Sequence, residues 1–179
     1  MLLGHELKLS QIYAIIYVMN EELINLLKVL LADTIALKFK AHGYHWNVET
    51  DDFPQYHEFF GDIYQDFDSA IDPLAEWIRM VDNKQYAPFS LSRLASLSTV
   101  PENPVTTDHE SMSADLLASI ELITPKFIQG FDLATAAKQN GLANFMADRQ
   151  TAHQKWIWQL RTVVKPEPME DEQEAPQGA

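Results

Sequence analysis

The chain has 179 residues, of which 46% are apolar and 22% charged, so it is sized for one compact core and too ordinary in charge content to be disordered throughout. Its 26 acidic side chains outnumber 13 Lys and Arg, and the resulting charge of -13 repels phosphate backbones, which argues against nonspecific nucleic-acid binding. It contains no cysteine, which excludes disulfide frameworks and thiolate metal or redox sites and leaves any metal to nitrogen and oxygen ligands.

The apolar run from Ile12 to Met19 is far shorter than the ~20 residues of a membrane span. Met1 to Glu6 carry no cationic region, and no small-residue cleavage pattern follows, so a cytoplasmic protein with no membrane partner is expected. Residues 1–20 form an N-terminal segment in which Leu9 to Met19 either extends the next helix or stands apart, with Asn20 as a candidate N-cap.

From Glu21 to Ala41 the positions Leu23, Leu26, Leu27, Leu30, Leu31, Ile35 and Leu37 recur at three- and four-residue spacing, which predicts a long amphipathic helix ending near His42–Gly43. Asn47 to Asp52 is turn-like. Asp52 then caps a second helix with Pro54 in its first turn, running to about Val81 with Phe59, Phe60, Ile63, Tyr64, Phe67, Ile71, Leu74, Ile78 and Met80 on its buried side. Pro73 forecasts a kink there.

Asn83 to Asp108 is rich in Pro, Ser and Thr and reads as a long connection in which Ser92 to Leu97 forms a short helix. A third long helix runs from about Asp108 to Lys138, with Leu116, Leu117, Ile120, Ile123, Phe127, Ile128 and Phe131 inside and a bend at Pro125. Asn140–Gly141 marks a tight break, and a fourth helix spans about Leu142 to Val164. Residues 165–179 hold three Pro and five acids and read as a disordered acidic tail. A short break between helices three and four makes them antiparallel, whereas the long connection suits a crossover between parallel helices; the fold class is all-α, a ferritin-like four-helix bundle over residues 21–164.

Two imidazoles, His45 and His57, bracket the first interhelical turn, and Asp72 and Glu76 lie four residues apart on one face of the second helix. Such nitrogen and oxygen donors suit hard and borderline metals. His57 and Asp72 are fifteen positions apart, which at helical rise is roughly 22 Å, so one chain cannot wrap both around one ion. The positions 57, 72 and 76 nevertheless share a sector of about 100°. A second copy, antiparallel across a two-fold axis, would set its Asp72 and Glu76 against the first copy's His45 and His57 and create two equivalent intersubunit sites. His42, three residues before His45, is a further candidate ligand.

At the His45-Trp46-Asn47-Val48 segment, the His57 region and the Asp72-x-Leu-Ala-Glu76 run, over about residues 21 to 164, the sequence resembles the Dps family of small ferritins. The resemblance implies a hollow homo-dodecamer that binds Fe(II) at intersubunit sites, oxidises it with peroxide or dioxygen and stores Fe(III) as mineral, protecting the cell from oxidative stress. It implies that His45, His57, Asp72 and Glu76 are the metal ligands and catalytic residues of this ferroxidase, that iron is its only cofactor, and that Trp46 stands beside the iron. Trp77, Trp156 and Trp158 read as core or interface residues.

Two departures from the family pattern stand out. The carboxylate expected four residues after the second histidine is replaced by Gly61, with Asp62 beside it and Glu58 nearby, and Lys138-Gln139-Asn140-Gly141 is not the acidic funnel expected where iron enters. Two other functions therefore compete: a cage whose metal centre has weakened or been lost, and a DNA-binding protective protein. For the latter, the N-terminal segment offers only Lys8 and the tail is acidic, so direct DNA binding is not expected.

Overall fold

The computed structural model describes residues 9–104 and 106–164. Five helices occur in the order α1 (Leu9–Asn47), α2 (Phe53–Val81), α3 (Leu91–Leu97), α4 (His109–Ala136) and α5 (Asn140–Val163), and no strand is found among the described residues. The predicted acidic tail lies outside the described residues. No helix among them is long and apolar enough to cross a membrane.

The helices pack as α1 on α2 and α4 on α5, with α4 and the short α3 also against α1. Direction follows from the cross-links. Lys38 pairs with Asp68 while His45 meets His57, so α1 and α2 are antiparallel. Lys40 pairs with Asp115 while Asp33 pairs with Lys126, so α4 is also antiparallel to α1 and hence parallel to α2. The connection from 82 to 108 is thus a crossover, as predicted, and α5 returns beside α4. At the centre Leu23, Leu27, Leu30 and Leu37 of α1, Phe60, Ile63, Phe67 and Leu74 of α2, Ile120, Ile123 and Phe127 of α4, and Met146 and Leu160 of α5 are all fully excluded from solvent. Each contributes about 2 kcal/mol of apolar burial.

The crossover is tied down by one buried carboxylate. Asp33 accepts the Thr99 amide at 2.6 Å, the hydroxyls of Ser98 and Thr99, and the Lys126 ammonium at 2.6 Å. A charge taken fully out of water needs such a set of donors, and here they come from α4 and from the stretch after α3.

Of the two readings open for Leu9 to Met19, extension of the next helix is the one found, since Leu9 to Asn47 is one uninterrupted helix with Asn20 inside it. Other boundaries differ from the sequence reading. The first helix does not end at His42–Gly43: Val48 N donates to the Tyr44 carbonyl at 3.0 Å and the Asn47 side chain to the Gly43 carbonyl at 2.7 Å, which carries the helix past the glycine. The break before α5 lies at Ala137–Gln139, where Lys138 adopts a left-handed φ of 58°, rather than at Asn140–Gly141. Gly141 is already helical and is small because a Cβ there would meet the Trp77 ring at 3.0 Å. Pro73 and Pro125 sit within α2 and α4 without ending either helix.

Three side chains assigned to the interior are exposed, namely Met80 (57%), Ile128 (42%) and Phe131 (38%). Along α4 the buried stripe keeps the expected Leu116, Ile120, Ile123 and Phe127 and adds Ser113, Ser119, Thr124 and Gly130, small residues that let neighbouring helices approach. Trp156 is buried, Trp77 is half-buried, and Trp158 is 66% exposed, so Trp158 is not a core residue of this chain.

Candidate metal centre

The last two turns of α1 and the first turns of α2 face each other across the Val48–Asp52 connection, which places His45 and His57 ring against ring. Their centroids are 3.6 Å apart with an interplanar angle of 24°. His45 Nδ1 lies 2.6 Å from the His57 carbonyl oxygen, and His57 Nδ1 lies 2.7 Å from the His45 carbonyl oxygen. A carbonyl can only accept, so each Nδ1 must carry the proton and donate it. In the neutral imidazole this leaves Nε2 of both rings with a free lone pair, the tautomer that a metal requires. Because α1 continues through Asn47, both histidines project from helices rather than from a turn, and the reciprocal bonds fix their rings.

Other rings extend the pair. Phe53 stacks on His57 at 5.0 Å, Tyr64 meets His45 edge-on at 5.3 Å, and His42 stacks on Tyr64 at 4.1 Å and leans on Trp46 at 4.2 Å. Burial, followed by the charge of Lys38 and the neighbouring His45, lowers the His42 pKa against the opposing pull of Asp68. Trp46 thus touches the cluster through His42 and is 59% exposed. Phe53 and Tyr64 belong to this cluster without appearing among the expected ligands, and their spacing of four residues before and seven after His57 puts them on its face of the helix.

The structure does not bring the predicted carboxylates to this pair. Asp72 and Glu76 are exposed further along α2, and among the described residues no three potential ligands converge within one chain. Glu58 and Asp62 are exposed as well, and position 61 holds a buried glycine. One chain therefore holds an imidazole pair and, separately along α2, an exposed carboxylate pair. A separate groove of about 690 Å³ between α1 and the α3–Pro104 stretch is lined by Ile35, Phe39, Leu91, Leu94 and Val100 and contains none of these ligands.

Comparison with known proteins places the fold in a family. Residues 24–167 match the family model of the ferritin-like domain. The DNA protection during starvation protein of Helicobacter pylori is 30% identical over 136 residues, covering 75% of this chain and 93% of the relative. DNA protection during starvation protein 2 of Bacillus anthracis is 25% identical over 82% of this chain and 99% of its own. Among solved structures, the Dps protein of Vibrio cholerae, described as a member of a broad superfamily of ferritin-like diiron-carboxylate proteins, superimposes with a TM-score of 0.77 at 26% identity, over 83% of this chain and 92% of its own. Antigen TpF1 of Treponema pallidum superimposes with a TM-score of 0.78 at 25% identity, over 83% and 94% of the two chains.

Proposed function

Because the chain belongs to the Dps family of ferritin-like proteins, whose general roles are iron storage and DNA protection, we propose that it is a ferroxidase that takes Fe(II) between subunits, oxidises it with peroxide or dioxygen and stores the ferric product in a hollow, dodecameric shell. The observation that carries this reading is the reciprocal Nδ1 bonding of His45 and His57, which presents two metal-competent Nε2 atoms from one chain. A second copy supplies Asp72 and Glu76. The exposed aromatics Trp46 and Phe53 stand at the histidine cluster and supply apolar area for that copy to cover.

The donor set suits the chemistry. Neutral imidazoles bind Fe(II), and the two carboxylates add the negative charge that favours Fe(III). Each Fe(II) gives one electron, and peroxide takes two together with two protons to leave water. Two Fe(II) are therefore oxidised for each peroxide reduced to two waters, a balance that releases no one-electron oxygen radical. Hydrolysis of Fe(III) then releases protons and builds mineral.

Anaerobic Fe(II) titration followed by peroxide, read by ultraviolet absorbance, tests this directly in the parent, His57→Ala and Asp72→Ala. Saturable binding and peroxide-dependent oxidation are expected in the parent and lost in each variant. Co-assembly of the two variants is expected to restore activity, because a mixed dimer contains one site with both halves intact. Absence of saturable binding in the parent would leave a cage without a metal centre.

Protection of DNA by removing iron needs no DNA contact, and a charge of -13 opposes such contact. No mobility shift of DNA is expected even at low salt; a shift at low salt that disappears at higher salt would establish the DNA-binding reading instead.

A further inference from the structure

Gly61 is buried on the face of α2 that supports His45, and the ring uses the space a side chain would fill. A Cβ at position 61 would lie 3.2 Å from His45 Nδ1 and 3.4 Å from Cε1. That same Nδ1 makes the 2.6 Å bond to the His57 carbonyl, so the atom that a side chain would press on is the one that locks the tautomer. Glycine carries a cost of about 1 kcal/mol relative to alanine in a helix interior, so its presence in the middle of α2 calls for a compensating role. Close approach of the His45 ring supplies one.

We infer that Gly61 determines the ion count of the site: it seats His45 against α2 in the tautomer that leaves Nε2 to a metal, and it withholds any further ligand from that turn, so that each histidine pair takes a single divalent cation. This deepens the ferroxidase reading and rests on it. The nearest carboxylates in sequence, Glu58 and Asp62, are both exposed, and stepping one residue from position 61 to 62 rotates a side chain by about 100° away from the ring. The imidazole half-site therefore has no carboxylate of its own to bridge a second ion. Gly61 is a positioning residue here, acting through His45.

The test uses the full-length assembled protein and Co(II) alone, added anaerobically as a visible-absorbing stand-in for Fe(II). Binding is followed by absorbance and calorimetry, and the histidine tautomers of the metal-free protein by nitrogen-15 NMR. In the parent, one Co(II) per chain is expected, with both rings protonated at Nδ1 before metal is added. Gly61→Ala improves helix propensity and adds no ligand; it is expected to keep the stoichiometry, weaken binding about tenfold through loss of ring alignment and disturb the His45 tautomer signal without Co(II) present. Gly61→Asp is expected to displace the ring further and to change the stoichiometry. Two ions per chain in the parent would overturn this inference while leaving the ferroxidase reading in place, as would Gly61→Ala with unchanged affinity and NMR signals. No Co(II) or Fe(II) binding by the parent would overturn both.

Discussion

Asp66→Ala is expected to destabilise the bundle by about 3 kcal/mol, read as a fall in the urea midpoint at neutral pH, because it removes one side of a largely buried ion pair. Arg149 of α5 grips the two Asp66 oxygens of α2 with Nη1 and Nη2 at 2.9 and 2.8 Å, and Trp156 Nε1 donates to the same carboxylate at 2.8 Å. Arg149 is only 7% exposed, and its Nε already lacks a partner. Removing the carboxylate strands the guanidinium and the indole N–H together. Burial pushes the Asp66 carboxyl upward, but the Arg149 bonds and charge, then Trp156, outweigh it and hold the carboxyl below its ordinary range. Its contribution is therefore present above the ordinary carboxylate pKa and is lost as pH falls through the lowered folded value.

Two controls separate this from a generic loss of charge. Glu121→Ala breaks the exposed Arg161 pair, whose side chains are 65% and 41% accessible, and should change stability by no more than about 0.5 kcal/mol. The double replacement Asp66→Leu with Arg149→Met should recover most of the loss, since no charge is left stranded. Equal effects of Asp66→Ala and Glu121→Ala would show that the α2–α5 pair contributes no more than a surface contact.

How far the sequence reached depended on the kind of signal. The start and end of α2 were readable because Asp52, Pro54 and a strong apolar stripe agree with one another. Gly43 and Asn140–Gly141 mislead because glycine in a sequence reads as helix punctuation. In the folded chain Gly43 lies within a continuing helix, and Gly141 makes room for Trp77. On α4 the interior stripe includes Ser113, Ser119, Thr124 and Gly130, so an apolar count rotated the inferred face toward Ile128 and Phe131. The His45–His57 pair was legible from its spacing around a connection. The backbone clasp that fixes both tautomers was not, because it depends on where two carbonyls point. Least legible was the polar network of α2 and α5, whose members Asp66 and Arg149 lie 83 residues apart and each look like surface residues in their own helix.

That network also predicts acid sensitivity through His153, one turn beyond Arg149 and fully buried. The Thr124 hydroxyl donates to the Ile120 carbonyl at 2.6 Å, so its oxygen is left to accept from His153 Nδ1 at 3.2 Å. Nε2 then carries a lone pair with no donor, enclosed by the rings of Phe67 and Phe127. Burial, then the positive Arg149, lowers the His153 pKa from 6.5 to about 3 against the opposing pull of Asp66. The unfolded chain therefore takes up a proton below pH 6.5 that the folded chain refuses until about pH 3, and stability falls as pH drops through that window. The slope approaches ~1.4 kcal/mol per pH unit for each chain, amounting to about 3 kcal/mol by pH 4. His153→Leu keeps a similar volume and strands nothing, because Thr124 retains Ile120 as its acceptor. Urea midpoints at fixed protein concentration should fall between pH 6.5 and 4.5 in the parent and fall much less in the variant, a window chosen to lie above the titration of Asp66. Parallel pH profiles for the two proteins would mean that His153 gains its proton in the folded bundle as readily as in the unfolded chain, and the acid response would have to come from other groups, His42 and the carboxylates among them.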